Sequence, residues 1–384
     1  MKKLNKEKLN KLLTERLAGN IKEAKTAGAE IIVMQSGEEL CHITMGYKNA
    51  IKGEMLTPGC MYRLASMTKP VTAVAVLIGV QNGWFSLDDY VKDYLPEFSD
   101  MEVAVLKDEK IVIDHKAKSD LKIWQMLSHC SGILAETELG NMILERGDKS
   151  IYTSIDTMLE FTSRQPLAFD PEEYTAYTAF ASFDALAKII ENKSGVKYSE
   201  FIQKNIFEPL GIKNITFHPT DEQWEKFVTL HDRSDSKTLV TVDSGKHIYE
   251  GNELTYECAG GGLAGTAEDY AKFAQMLCNG GSFNGVQIVS KELIEEMKKP
   301  RVPDFTPGRE PNDSWGFGVR VKVHEDWLPE GIFGWSGAYG THFWVDQENE
   351  IVAVYLRNMR WYDSQGPGKL GAEFEKDVMS CTEQ

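Results

Sequence analysis

Ser66-Met67-Thr68-Lys69 runs almost directly into the apolar stretch Val71-Thr72-Ala73-Val74-Ala75-Val76-Leu77-Ile78. A helix that is apolar all round belongs in a core, so this segment is expected to be buried and to fix whatever stands at its head. A lysine three residues after a serine lies on the same helical face. Its amine can therefore reach the hydroxyl and handle its proton. The helix start adds the positive end of the macrodipole, which favours a developing anion. These are the conditions under which a weak nucleophile is activated. The same spacing recurs at Ser119, Ser194 and Ser234, but only Ser66 opens a long apolar segment. The structural alternative is an N-cap serine followed by a solvated lysine.

Moving outward, Ile31 to Gln35 and Leu40 to Met45 read as strands joined by a Ser36-Gly37 turn. They follow an amphipathic helix carrying Leu9, Leu12, Leu13 and Leu17. Helical patterns dominate from about 61 to 295, most clearly at Asp156–Phe161, Asp184–Asn192, Tyr198–Phe207 and Thr266–Leu277. Thr266 with Asp269 suggests a capping box. Strand patterns return at Trp315–Val321, His342–Asp346 and Ile351–Arg357, the last two as a hairpin around Gln347–Glu350. A final helix is expected over Lys369–Cys381, with Leu370, Phe374 and Val378 on one side. Length alone allows two or three domains. The order of elements instead predicts a single α+β domain. Its antiparallel sheet is built from both termini (about 1–60 and 296–384) and flanked by helices, and a mostly helical lobe is inserted at about 61–295.

The chain has 384 residues, 42% hydrophobic and 26% charged, as expected for a globular protein. Its net charge of -16 argues against nucleic acid or an anionic membrane as partner. The six cysteines form no Cys-x-x-Cys pair and are expected to be reduced and mostly buried. No export-signal pattern follows Met1, and the stretch near 71–80 is too short to span a bilayer, so a cytoplasmic location is expected. There is no His-Glu-x-x-His and the eight histidines do not cluster along the chain, so neither a metal nor another cofactor is expected. Gly260–Gly265 matches Gly-x-Gly-x-x-Gly but lacks a clear preceding strand, which excludes a dinucleotide fingerprint. His129 reads as a structural hydrogen-bonding residue.

Two further segments complete a pattern. Tyr177-Thr178-Ala179 lies before an amphipathic helix, and Trp335-Ser336-Gly337-Ala338 lies before a strand. With Ser66-Met67-Thr68-Lys69 they resemble, in order and rough spacing, the three motifs of the serine beta-lactamase and penicillin-binding-protein superfamily. The resemblance is nearest to its class C-like, esterase-related branch. Leu127-Ser128-His129-Cys130-Ser131-Gly132 and Gly260 to Asp269 resemble two further segments of that family, and the likeness runs from about residue 30 to 360.

The resemblance implies a beta-lactamase/transpeptidase-like fold. Ser66 would be the nucleophile, Lys69 and Tyr177 would share its proton, and the backbone amides of Ser66 and Ala338 would form an oxyanion hole. Trp335, Ser336, Gly337 and Ala179 would contact substrate. Two departures bear on substrate. Ala179 stands where the family usually has asparagine, and Trp335 where class C beta-lactamases have lysine. Both favour a small ester or amide with an apolar group over a beta-lactam. The expected function is a serine hydrolase working through an acyl-enzyme on a small molecule. A beta-lactamase, a D-amino-acid peptidase or an acyltransferase are the enzymatic alternatives, and a silent binding protein on the same fold is the alternative from another class. Oligomeric state is not legible.

Overall fold

A computed structural model describes residues 2–147, 149–235, 237–242, 256–360 and 367–383. Its centre is an eight-stranded antiparallel sheet. In chain order the strands are β1 (Gly28–Gln35), β2 (Glu38–Asn49), β3 (Glu54–Met55), β4 (Asp313–Trp315), β5 (Arg320–Lys322), β6 (Phe333–Ser336), β7 (His342–Asp346) and β8 (Ile351–Leu356). Across the sheet they run β4-β5-β6-β7-β8-β1-β2-β3. The two chain ends therefore meet in the middle, where β1 pairs with β8 from Glu30↔Leu356 to Gln35↔Ile351. The β1–β2 and β7–β8 hairpins are those the alternating sequence predicts.

Both faces of the sheet are covered. On one, helix α1 (Lys6–Lys22) and the C-terminal helix, residues Pro367–Met379, bury Leu9, Leu13, Leu17, Phe374 and Val378 against Ile31, Val33, Ala353 and Tyr355. On the other, Ile32, Val345, Val352 and Val354 join the main core with α2 (Thr68–Gln81), α3 (Ala181–Ser194) and α4 (Ala267–Cys278). The C-terminal helix is α5. Helix α2 is buried at every position from Thr68 to Gly79, as its composition requires. All six cysteines are free and buried.

Three local expectations are corrected. Trp315–Val321 is not one strand: β4 and β5 form a tight hairpin in which Trp315 faces Arg320. Gly318 turns the chain at φ 65°, a conformation that strains any side chain. The helix at Tyr198 stays α-helical only to Ile202, and Gln203–Phe207 is π-helical. Thr266 does cap α4, accepting from the Asp269 amide at 3.3 Å. Asp269 does not reciprocate, however, because its carboxylate accepts from the amides of Lys213 and Asn214 at 3.0 and 2.7 Å. It pins a neighbouring loop instead of closing the box.

Candidate active site

Ser66 stands in a single 3-10 turn, Ala65–Met67, that feeds straight into α2. The cap positions are Leu64 for the turn and Met67 for α2, and Ser66 lies inside the turn, so the capping alternative fails. The residue before it, Ala65, is held at φ 47°, in the left-handed region. Non-glycine residues stay there only where their surroundings over-determine the backbone, and they do here. The Leu64 amide donates to the Leu263 carbonyl at 2.9 Å. The Thr341 hydroxyl donates to the Leu64 carbonyl at 3.0 Å, and the Tyr270 hydroxyl to the Met67 carbonyl at 2.8 Å.

Lys69, one turn on, is fully buried, so the solvated-lysine alternative fails too. Its Nζ donates to the carbonyls of Ala179 at 2.6 Å and Gly260 at 2.7 Å, and its remaining direction points at Ser66 Oγ, 3.4 Å away. As an ammonium it donates to that oxygen, and as an amine it offers its lone pair there. The Tyr177 hydroxyl bonds Ser66 Oγ at 2.6 Å. Lys69 Nζ lies 4.7 Å from the centre of the Tyr177 ring, within cation–π range. The three residues singled out from the sequence thus converge on one oxygen.

Tyr177 is positioned by its own segment and by aromatic neighbours. The Thr178 amide donates to His129 Nδ1 at 3.0 Å, and the Glu136 amide to the Tyr177 carbonyl at 2.7 Å. Burial, helped by the charge of Lys69, pushes the His129 imidazole well below its usual range. It is a neutral acceptor at Nδ1, a positioning residue as the sequence suggests, and not a base. The rings of His129, Trp315 and Trp335 pack around Tyr177 with centroids 4.6, 5.8 and 5.5 Å away. Trp335 Nε1 donates to the Tyr177 hydroxyl at 3.4 Å. Behind Lys69, Asp184 on α3 accepts from the Tyr256 hydroxyl at 2.6 Å and the Ala259 amide at 2.8 Å, which anchors the loop that presents the Gly260 carbonyl. Burial raises the Asp184 carboxyl to about 7 despite those bonds.

These groups open into a cavity of about 630 Å³. Ser66, Tyr177, Trp335, Ser336, Gly337 and Ala338 all line it. Ala179 acts through its carbonyl on Lys69 and is not among the described lining residues. Ser336 Oγ bonds His342 Nδ1 at 2.8 Å. Sequence reasoning missed Trp315, Glu136 and Arg320 in the lining. Trp315 was legible as an aromatic next to a glycine, but not as a wall, because the β4–β5 reversal that aims it was read as a straight strand.

Gly337 shows how tightly the two halves of the site meet. A Cβ there would come within 2.3 Å of the Leu64 carbonyl and 2.2 Å of Thr341 Oγ1. Gly337→Ala is therefore expected to push β6 away from the nucleophile turn. A misplacement of about 1 Å costs about 10²-fold in rate. Any turnover at Ser66 should fall by about that factor while the thermal midpoint moves by only a few degrees. Comparing kcat with the melting curve of the same preparation checks it, and unchanged kcat would show that the contact is slack.

A family model described as beta-lactamase matches residues 9–363. The chain belongs to the beta-lactamase family. It is 27% identical over 355 residues to protein Rv1367c of Mycobacterium tuberculosis, covering 86% of this chain and 85% of that one. It is 25% identical over 380 residues to esterase EstB of Burkholderia gladioli, covering 90% of each. Among solved structures it resembles EstCE1, described as a hydrolase with promiscuous acyltransferase activity, with a TM-score of 0.80, 19% identity and 98% of each chain covered. The mixed α/β architecture with its large antiparallel sheet is that of this family, and the chain is a serine hydrolase of the beta-lactamase fold.

Proposed function

We propose that the chain hydrolyses small esters through an acyl-enzyme on Ser66. The observation that carries this reading is the convergence of Tyr177 (2.6 Å) and the buried, doubly clamped Lys69 (3.4 Å) on Ser66 Oγ at the floor of an open cavity. Ser66 Oγ attacks the acyl carbon while its proton passes into the Lys69–Tyr177 pair, which stands 3.4 and 2.6 Å from it. The same proton then goes to the leaving alkoxide as the acyl–oxygen bond breaks. The amides of Ser66 and Ala338 hold the oxyanion, each donor contributing roughly 3 kcal/mol in the transition state. Water repeats the sequence in reverse and frees the acid. A bound alcohol in place of water would make the reaction an acyl transfer, the second activity named for EstCE1. The six free, buried thiols support a cytoplasmic setting, and among the described residues no helix is long and apolar enough to cross a membrane.

The cavity walls favour esters over beta-lactams. Trp335 presents an indole where a lactam carboxylate would need a cation. The two arginines in the lining are ion-paired, Arg309 with Asp304 and Arg320 with Glu375. Losing a charge-assisted bond to a carboxylate costs roughly 1.5–3 kcal/mol, about one to two powers of ten in rate. We expect kcat/KM for p-nitrophenyl butyrate to exceed that for nitrocefin by at least this factor on one preparation. The reverse order would make beta-lactamase the better description. Intact-mass detection of an adduct on Ser66 with an activated ester tests the acyl-enzyme itself, and its absence would leave only the binding-protein reading.

A further inference from the structure

Away from the cavity lining, at the junction of β1, β2 and α4, lies a second cluster of reactive groups that the hydrolysis does not use. Glu30 sits in β1, one of the central strands, and its side chain is fully buried. An ionised carboxylate in such a place is costly unless it is paired. Glu30 Oε1 lies 2.9 Å from His42 Nε2 on β2, and Oε2 accepts from the Tyr62 hydroxyl at 3.4 Å. Glu268, in the first turn of α4, points at the same spot. One ligand atom each from Glu30, His42 and Glu268 all lie within 4.8 Å of one another. Glu268 Oε2 is buried and has no hydrogen-bond partner among the described residues. The same is true of Thr44 Oγ1, and Thr44 is the direct cross-strand partner of Glu30.

The charges here do not balance. Two carboxylates converge on one imidazole, and a third, Glu39 Oε2, stands 3.6 Å behind it at Nδ1. Two oxygens beside them lack a protein partner. A bound cation neutralises the carboxylates and takes up the Glu268 lone pair, and a water on that cation can reach Thr44 Oγ1. The donor set also specifies the kind of cation. An imidazole nitrogen with two carboxylate oxygens suits zinc and its first-row neighbours, whereas calcium and magnesium prefer all-oxygen shells. Glu39 stands 3.6 Å from the other ring nitrogen, too far for a hydrogen bond but near enough to favour a positive centre at Nε2.

We propose that Glu30, His42 and Glu268 bind one divalent transition-metal ion, zinc by preference, at the junction of β1, β2 and α4. Ligands at about 2.0–2.2 Å from zinc stand roughly 3.3–3.6 Å apart in a tetrahedron. To reach that spacing the Glu30–His42 contact, now 2.9 Å, must open slightly while Glu268 draws in from within 4.8 Å, with water in the fourth position. The ion's role is structural. It ties the N-terminal hairpin to the helix that follows Gly260–Gly265, the segment whose first carbonyl clamps Lys69. The three ligands are far apart in sequence and come from two strands and a helix, so no ligand spacing announces them.

The test uses the full chain without an affinity tag, stripped with chelator, incubated with zinc chloride and desalted. Elemental analysis should find one zinc per chain, and zinc should raise the thermal midpoint where calcium and magnesium do not. Glu268→Gln and His42→Gln should each weaken zinc binding at least tenfold and abolish the zinc-dependent rise. The metal-free midpoint of Glu268→Gln should stay near that of the wild type, that of His42→Gln should fall because buried Glu30 loses its partner, and ester hydrolysis by Ser66 should continue in both. Cobalt loaded into the wild type provides a readout that needs no variant: the expected spectrum has visible d–d bands and no thiolate charge-transfer band. Failure of the stripped wild type to retain zinc would overturn the proposal. So would a thiolate band, or wild-type affinity in both variants, since either would place the metal at other groups.

Discussion

Replacing Ser66 by alanine is expected to remove ester hydrolysis almost completely, by about 10⁶-fold in kcat, the loss typical when a hydrolase nucleophile is deleted. The same variant should no longer be labelled by a fluorophosphonate, and peptide mapping of the wild type should place the label on Ser66 alone. The competing hydroxyls are otherwise engaged. Ser131 is buried and bonded to Ser182 at 3.1 Å, and Ser336 is bonded to His342 at 2.8 Å. Neither touches Lys69 or Tyr177 in the contacts described. A label on Ser131 or Ser336, or substantial activity in Ser66→Ala, would refute the assignment. The fold should survive the change, because what holds the nucleophile turn is Leu64, Met67 and Thr68, not the Ser66 side chain.

Lys69→Ala and Tyr177→Phe come next in size, each expected to lower kcat by about 10²–10⁴-fold, the usual worth of positioned proton transfer. The two should differ in their side effects. Tyr177→Phe removes one oxygen and keeps the ring against His129, Trp315 and Trp335, so stability should be close to wild type. Lys69→Ala leaves the buried carbonyls of Ala179 and Gly260 without their donor. Each such orphan costs roughly 1–3 kcal/mol, so this variant should also melt earlier. The double variant should be little slower than the worse single one, since the two groups serve one proton and residues that act as a unit are not additive. Wild-type rates in Tyr177→Phe would make the tyrosine a packing residue and undo the reading of the second motif.

Much of this was legible in the chain because it is written in local patterns. The apolar run after Lys69 could only be a buried helix, and the serine and lysine at its head share a face by helical geometry alone. The β1–β2 and β7–β8 hairpins follow from alternation and turn residues. What stayed hidden is what the third dimension assembles. Trp315 reaches the cavity because the chain reverses at Gly318, and a run of alternating apolar residues does not announce that reversal. The carbonyls of Ala179 and Gly260 clamp Lys69, but backbone acceptors have no signature in side-chain identity. Asp269 looked like half of a capping box and serves a loop brought to it from Lys213 and Asn214. His42 and Glu30 looked unremarkable because their neighbour Glu268 arrives from a distant helix.

The meeting of the two chain ends in the middle of the sheet has a consequence for how the molecule is made. Strand β1 emerges early from the ribosome, with Ile31, Ile32 and Val33 ready to be buried. One of its edges can be covered at once by β2, but the other must wait for β8, roughly 300 residues later. At about 5–20 residues per second that delay is on the order of tens of seconds. Throughout it an apolar strand edge stands unpaired, a template for joining other nascent chains. The nucleophile turn depends on the same late event, since Gly337 and Thr341 close over Leu64 only when β6 and β7 arrive. The surroundings of Ser66 are thus completed only after those strands arrive, and a chain cut before them is expected to lose the proposed site and to aggregate.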